Sequence, residues 1–108
     1  MANQETEIQN DIRVELSKIG IVRRNNVGLF ITKYGAPIKD GVPGESDLTL
    51  FAENGKTVFI ETKTPVGKQS KNQKNFQKKI EAMGFEYLIM RSVEDAKEFV
   101  RKWKNNEY

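Results

Sequence analysis

The 108-residue chain has no cysteine and no histidine. The first absence excludes a disulfide scaffold, a thiolate zinc site and a cysteine nucleophile. The second removes a Ser-His-Asp triad, HExxH zinc chemistry and any imidazole base. A metal ion bound here has to be held by oxygen, which points to magnesium, calcium or manganese. No apolar run approaches the ~20 residues that a membrane span needs. The opening stretch, MANQETEIQND, is polar and acidic, unlike a secretory signal. An intracellular protein is therefore expected. Hydrophobic residues are 37% of the chain against 31% charged, so the core must be small, seeded by six Phe, three Tyr and one Trp. That length and composition fit one domain spanning residues 1–108.

The net charge of +3 is modest, but its distribution is uneven. Residues 63–79 hold six lysines and no acid. Such a segment is either a solvated helix face or a surface for a polyanion.

Hydrophobic periodicity predicts the elements. Ile8, Ile12, Leu16 and Ile19 form one stripe of a helix over residues 4–20, with Gly20 as its stop. Residues 27–34 are rich in β-branched and aromatic side chains and read as a strand, and residues 35–44 as a Gly/Pro loop. Residues 47–52 and 57–63 read as two strands joined by a hairpin turn at Asn54-Gly55. Ser70 caps a second helix with Phe76, Ile80 and Met83 on its apolar face. A strand over residues 85–91 follows. Ser92 then caps a last helix, with Asp95 completing a short capping box and Ala96, Phe99, Val100 and Trp103 facing inward. The order α-β-β-β-α-β-α implies an α/β domain with a central mixed sheet flanked by helices.

A few charged residues break this pattern. In the third strand Thr57, Phe59, Glu61 and Lys63 share one face and Val58 and Ile60 the other. Both faces are apolar, so the strand is central, a costly place for a charge unless it is paired or metal-bound. A turn centred between residues 54 and 55 sets Asp47 opposite residue 62, at the same sheet end as Glu61 and Lys63. Either Glu61 and Lys63 form a simple ion pair, or the two carboxylates hold a divalent ion between them. Glu5 falls ~20° from the direction of Ile12 on the first helix, whereas Glu7 is ~140° away. Glu5 is thus either an acid on the buried stripe or one favoured by the helix dipole, and Gln9 lies one turn later at its margin. Gln73 shares the stripe of Phe76 and Ile80, as a boundary amide or a group facing the site.

In chain order, Glu5-x-x-Ile8-Gln9, Arg24-x-Asn26-x-Gly28, Gly44-x-Ser46-Asp47, Glu61-Thr62-Lys63, Ser70-x-x-Gln73-x-x-Phe76 and Arg91-Ser92 resemble the virus-type replication-repair nuclease (VRR-NUC) family of the PD-(D/E)XK superfamily. Ser46 stands where the superfamily usually has proline. The resemblance covers nearly the whole chain and implies a metal-dependent endonuclease with a restriction-endonuclease-like fold. Its small stand-alone members resemble phage proteins that form homodimers and cut branched DNA such as Holliday junctions; a phage-encoded chain would work in the host cytoplasm. Carried over by position, Asp47 and Glu61 would ligate Mg²⁺, with Mn²⁺ as a substitute and the Thr62 carbonyl as a further ligand. Lys63 would orient or deprotonate the attacking water. Glu5 would support a second metal or its water shell, with Glu7 as the fallback. Gln73 would position Lys63 or the scissile phosphate. Arg23, Arg24, Lys68, Lys71, Lys74 and Lys78 are the expected phosphate contacts. A catalytically silent DNA-binding module or a subunit of a repair complex is the alternative, and nothing in the sequence separates DNA from RNA. Two coordinated cuts in a junction need two sites, hence a dimer, with Val42, Ile38, Leu29, Phe30 and Ile31 as candidate contacts.

Overall fold

The computed structural model describes residues 3–25, 28–31, 33–35, 37–40 and 42–107, with residues 28–31 and 37–40 described by backbone course. Helix α1 (Gln4–Leu16) leads into strand β1 (Gly20–Arg24), then β2 (Gly28–Ile31), β3 (Pro37–Asp40), β4 (Leu48–Ala52) and β5 (Thr57–Thr62). Helix α2 (Lys71–Ala82), strand β6 (Glu86–Met90) and helix α3 (Val93–Lys104) complete the chain. The main sheet has the order β1-β4-β5-β6, antiparallel except for the parallel pair β5–β6. Within this sheet and its helices the order is α-β-β-β-α-β-α, as the periodicity predicts.

The first strand of the sheet is not where the sequence places it. The short run Gly20–Arg24 fills that position, and Gly20 opens a strand instead of closing the helix, which ends with Ser17. Only Val22 of β1 packs against the core, so the strand lacks the apolar density that marks a strand in sequence. Residues 28–31 instead form a separate two-stranded ribbon with Pro37–Asp40, inside the stretch expected to be a loop. Pro37 is compatible because it stands at the first position of a strand in a two-stranded ribbon. The side chains of Leu29, Phe30, Ile31 and Ile38, named above as contacts between copies, lie outside the described part of the structure, as do Val27 and Thr32.

Alternation sorts the sheet into two faces. Leu48, Leu50, Val58, Ile60 and Met90 point to one side and meet Ile12, Leu16 and Ile19 of the first helical segment and Ala96, Phe99 and Val100 of α3. Each such buried side chain stabilises the fold by roughly 1.5–3 kcal/mol relative to exposure. The other face carries a smaller cluster, where Phe76, Ile80 and Tyr87 pack with Phe59 and Ile89. The Phe59 ring meets Phe76 edge-on at 5.9 Å and Phe85 at 5.4 Å. Strand β5 lies between β4 and β6, so it is central, as its two apolar faces require.

Helix α2 begins in a complete capping box: Ser70 accepts from the Gln73 amide and the Gln73 side chain accepts from the Ser70 amide. At α3 the expected box is altered. Ser92 makes no side-chain cap, and the Asp95 carboxylate reaches past it to the Arg91 amide at 2.8 Å.

The β4–β5 hairpin turns through Glu53, Asn54 and Gly55, with Ala52 and Lys56 bonded across it and Gly55 at φ +88°. It is a three-residue turn closed by a left-handed glycine, not a two-residue turn on Asn54-Gly55. The register Leu48↔Ile60 follows. Continued one step, it sets Asp47 opposite Glu61, not Thr62. This one-residue difference decides which face Asp47 shares.

Gly44 ties the segment before Asp47 to α2. Its φ is +78°, and a Cβ there would lie 2.1 Å from the Asn72 carbonyl oxygen and 2.7 Å from the Gln73 nitrogen. Gly55 shares the left-handed backbone but has nothing within 4 Å of such a Cβ. Gly55→Ala is therefore expected to cost only the left-handed penalty of about 1–2 kcal/mol. Gly44→Ala should cost distinctly more, because backbone must also move. Urea midpoints of the two variants compare them, and equal losses would show that α2 does not press on this loop.

Candidate active site

Asp47 and Glu61 meet at the end of the central strand, on the face that α2 covers in part. Asp47 is held by backbone and side chain together. Its Oδ2 accepts from the Thr62 amide at 2.9 Å and the Thr62 hydroxyl at 2.8 Å. Its carbonyl accepts from the Asn25 amide at 2.8 Å. The Asn25 side-chain amide donates to the Ser46 carbonyl at 3.0 Å and the Thr49 hydroxyl at 2.8 Å. Ser46, fully buried, donates its hydroxyl to the Leu48 carbonyl.

Glu61 is 1% exposed. Its Oε2 accepts from the Tyr87 hydroxyl at 3.1 Å, and Tyr87 in turn accepts from Gln69 Nε2 at 3.3 Å. Gln69 Nε2 also donates to Gln77 on α2. Burial, reinforced by the neighbouring Asp47 carboxylate, pushes the Glu61 carboxyl up to about 8. Tyr87 and Lys63 pull the other way but do not offset this. Burial also holds the Tyr87 phenol above its ordinary range, so it stays a donor. The simple Glu61–Lys63 ion pair is not found among the described residues; the Glu61 carboxylate is bonded to Tyr87 instead. Lys63 acts on Glu61 by attraction at longer range.

The loop after Lys63 is clamped by Arg91. One guanidinium nitrogen donates to the carbonyls of Thr64 at 2.8 Å and Gly67 at 2.7 Å. The Lys63 amide is tied to the Met90 carbonyl at 3.0 Å. Arg91 is thus a positioning residue for the segment that carries Lys63.

From α1, Gln9 donates its Nε2 to the Thr62 hydroxyl at 3.3 Å, while its Oε1 is buried with no partner in the structure. Glu5 lies one turn earlier on the same side of the helix. It is exposed, not buried in the stripe, and Glu7 is exposed as well. Gln73 is half-buried, and its Oε1 serves the helix cap. The amide joined to the carboxylates through Tyr87 is Gln69.

Strand alternation separates the two arginines. Arg23 pairs with Thr49 on the carboxylate face, and Arg24 pairs with Leu48 on the α1 face. Lys71, Lys74 and Lys78 lie ~140–180° around α2 from the direction of Phe76 and Ile80, so they point away from the sheet. They and Lys68 are exposed.

Asn25, Tyr87, Gln69 and Arg91's clamp were not assigned by sequence reasoning. Tyr87 had a signal, since its parity in β6 sets it beside Phe59 and next to Glu61. Asn25 and Gln69 had none, because their role depends on contacts across the fold.

The donor set fits a magnesium-like ion. Two carboxylates lie side by side, one buried and holding its proton well above the usual range, so a divalent cation would replace that proton. Among the described residues no group of three or more acidic side chains gathers. An ion here would complete its shell with the Thr62 carbonyl, water and phosphate oxygens, as magnesium commonly does.

Two carboxylates and a lysine stand at the end of the central strand of a mixed sheet, and it is the chain's family that makes it a nuclease-type, DNA-processing domain. The family model of the VRR-NUC domain matches residues 3–94, and the chain belongs to that family. A solved structure described as a VRR_NUC domain is similar over 93% of this chain and 97% of its own, with a TM-score of 0.69 and 18% identity, a likeness of fold. No curated protein gave a significant match.

Glu61 generates a pH prediction. Its folded-state value of about 8 lies above the ordinary 4.5. The stability it contributes is complete below the ordinary value and is lost as pH rises through the folded one. In EDTA, unfolding free energy should therefore fall between about pH 5 and 8, and Glu61→Gln should flatten that slope. Mg²⁺ should stabilise the wild type at pH 8 but not the variant. Identical pH profiles for both proteins would remove Glu61 as the titrating group.

Proposed function

We propose that this VRR-NUC domain is a Mg²⁺-dependent, structure-specific DNA endonuclease acting on branched DNA such as Holliday junctions. The observation that carries the reading is the pairing of Asp47 with a fully buried Glu61 in an oxygen-only site. Such a pair has little structural value unless something positive joins it, since burying a carboxylate is costly.

Asp47, Glu61 and the Thr62 carbonyl would hold the ion, and Glu5, one turn before Gln9, would reach its water shell. The bound ion would neutralise phosphate charge and lower the pKa of a water. Thr62 and Asn25 fix Asp47, and Tyr87 fixes Glu61, so the carboxylates need not reorganise when DNA binds. Lys63, next but one to Glu61 on the same strand face, orients the attacking water or takes its proton. Gln73 stands near the start of α2 and would approach the phosphate only by leaving its cap. Arg23 faces the substrate side, while Arg24, Lys68, Lys71, Lys74 and Lys78 supply flanking charge to phosphates farther along the arms. One set of Asp47, Glu61 and Lys63 makes one cut at a time, so we infer a homodimer for paired cuts; Val42 is exposed and available to such a contact. Mn²⁺ would substitute for Mg²⁺.

Asp47→Ala, Glu61→Ala and Lys63→Ala should each abolish cleavage of a four-way junction in Mg²⁺ while the circular dichroism stays native, and EDTA should do the same to the wild type. Full activity in any of the three variants would sink the assignment. Glu5→Gln should reduce cleavage more than Glu7→Gln. The reverse order would move the helix-borne acid to Glu7. Light scattering should give twice the 12.4 kDa chain mass. A monomer that still cuts a junction symmetrically would remove the dimer.

A further inference from the structure

Helix α2 packs on the β5–β6 half of the carboxylate face, and on the β1–β4 half Ile21, Arg23 and Phe51 are exposed. A groove of about 460 Å³ lies along the boundary, with Arg23, Asn25, Thr49, Phe51, Phe59 and Phe85 in its wall. Phe51 is 45% exposed and Phe85 42%. Large aromatic rings exposed together mark a contact surface.

The groove is continuous with the carboxylate pair. Asp47, Thr49 and Phe51 alternate along β4 on one face, so Thr49 lies ~7 Å and Phe51 ~14 Å from Asp47. A stacked nucleic-acid strand rises 3.4 Å per step, so ~14 Å corresponds to about four steps. Asn25 and Arg23 stand at the end nearest the carboxylates, with Glu45 also in the wall. Aromatic faces interleaved with arginine, within a chain that carries six lysines and no acid between residues 63 and 79, suit a polyanion with flat bases.

We propose that this groove receives an unpaired strand of the nucleic acid, with one base stacked on Phe51 about four steps from the phosphate held at Asp47 and Glu61. The proposal rests on the nuclease reading for its substrate class and adds a single-stranded segment beside the cut. It makes Phe51 a determinant of preference for branched or frayed DNA over continuous duplex.

Binding in EDTA tests it without cleavage. Fluorescence anisotropy with a labelled oligothymidylate and with a blunt duplex is the measurement. Phe51→Ala should weaken oligothymidylate binding roughly 5- to 150-fold, leave blunt-duplex binding unchanged and leave the salt slope unchanged. Phe51→Trp should keep the affinity, and its indole emission, above the Trp103 background of the wild type, should be quenched by oligothymidylate. Arg23→Gln should instead reduce the salt slope by about 0.7 on the single strand. Because Phe51 is half exposed, the fold should survive, with the circular dichroism of each variant as the check. Equal oligothymidylate affinity in wild type and Phe51→Ala, or equal loss on both DNAs, would overturn the proposal. So would conversion of a dimer to a monomer by Phe51→Ala with single-strand affinity intact, which would assign the face to a second copy of the chain. Junction cleavage in Mg²⁺ separates the two claims. Cleavage with unchanged binding overturns only the groove, whereas stacking without any cleavage keeps the groove and overturns the nuclease.

Discussion

The structure turns on one carboxylate that accepts two hydrogen bonds from a single residue of the central strand. Thr62 donates both its amide and its hydroxyl to Asp47 Oδ2. Hydrogen bonds to a charged acceptor are stronger than neutral ones, and here they join the entry to β4 with the exit of β5. Asn25 pulls on the same segment from β1, and Gly44 lets it lie directly against the backbone of α2. Four elements therefore converge on one aspartate, and the place where they converge is where chemistry is expected.

Glu61 is the counterpart held by a different logic. Asp47 is half-buried and is satisfied by donors, whereas Glu61 is buried and is stabilised as the protonated acid. Its proton is a stand-in for positive charge. The burial that raises its pKa also prepares it to gain from a cation, since neutralising the pair relieves both desolvation and repulsion. Tyr87, kept protonated by the same burial, fixes one oxygen, and the Gln69–Gln77 relay carries that constraint to α2. The polar network is extended but each link is a neutral or charge-assisted bond, so it rigidifies the site at little electrostatic cost.

The asymmetric cover of the sheet has a functional counterpart. On the α1–α3 face the core is built mainly from aliphatic side chains, with Phe99 among them. On the other face α2 packs over β5 and β6 with its outer side lysine-rich, while Arg23 and Phe51 on the β1–β4 half are exposed. The basic residues accordingly split into two groups, with Arg23 on the carboxylate face and the α2 lysines behind it.

Much of this was legible in the residues. The alternation of β5 already separates Glu61 and Lys63 from Val58 and Ile60, because strand period depends only on backbone geometry. The stripe of α3, and that of α2 at Phe76 and Ile80, with Ser70 as the cap of α2, follow equally locally, whereas Met83, expected on the same stripe, is the exposed C-cap of α2. What the sequence could not decide was everything set by a partner across the fold. A three-residue turn in place of a two-residue one moved Asp47 from Thr62 to Glu61, a choice made by the pairing of whole strands. The strand Gly20–Arg24 was hidden because only Val22 packs in the core, while the more apolar residues 28–31 pair with Pro37–Asp40 in a ribbon of their own. Glu5 followed the helical stripe in angle yet stayed exposed, since angular position fixes a direction and only packing fixes what lies there. Asn25, Gln69 and Tyr87 became part of the site through contacts 18 to 26 residues apart in sequence. Periodicity, a local property of the backbone, determined the elements; long-range register and burial, which exist only when those elements pack, decided the site.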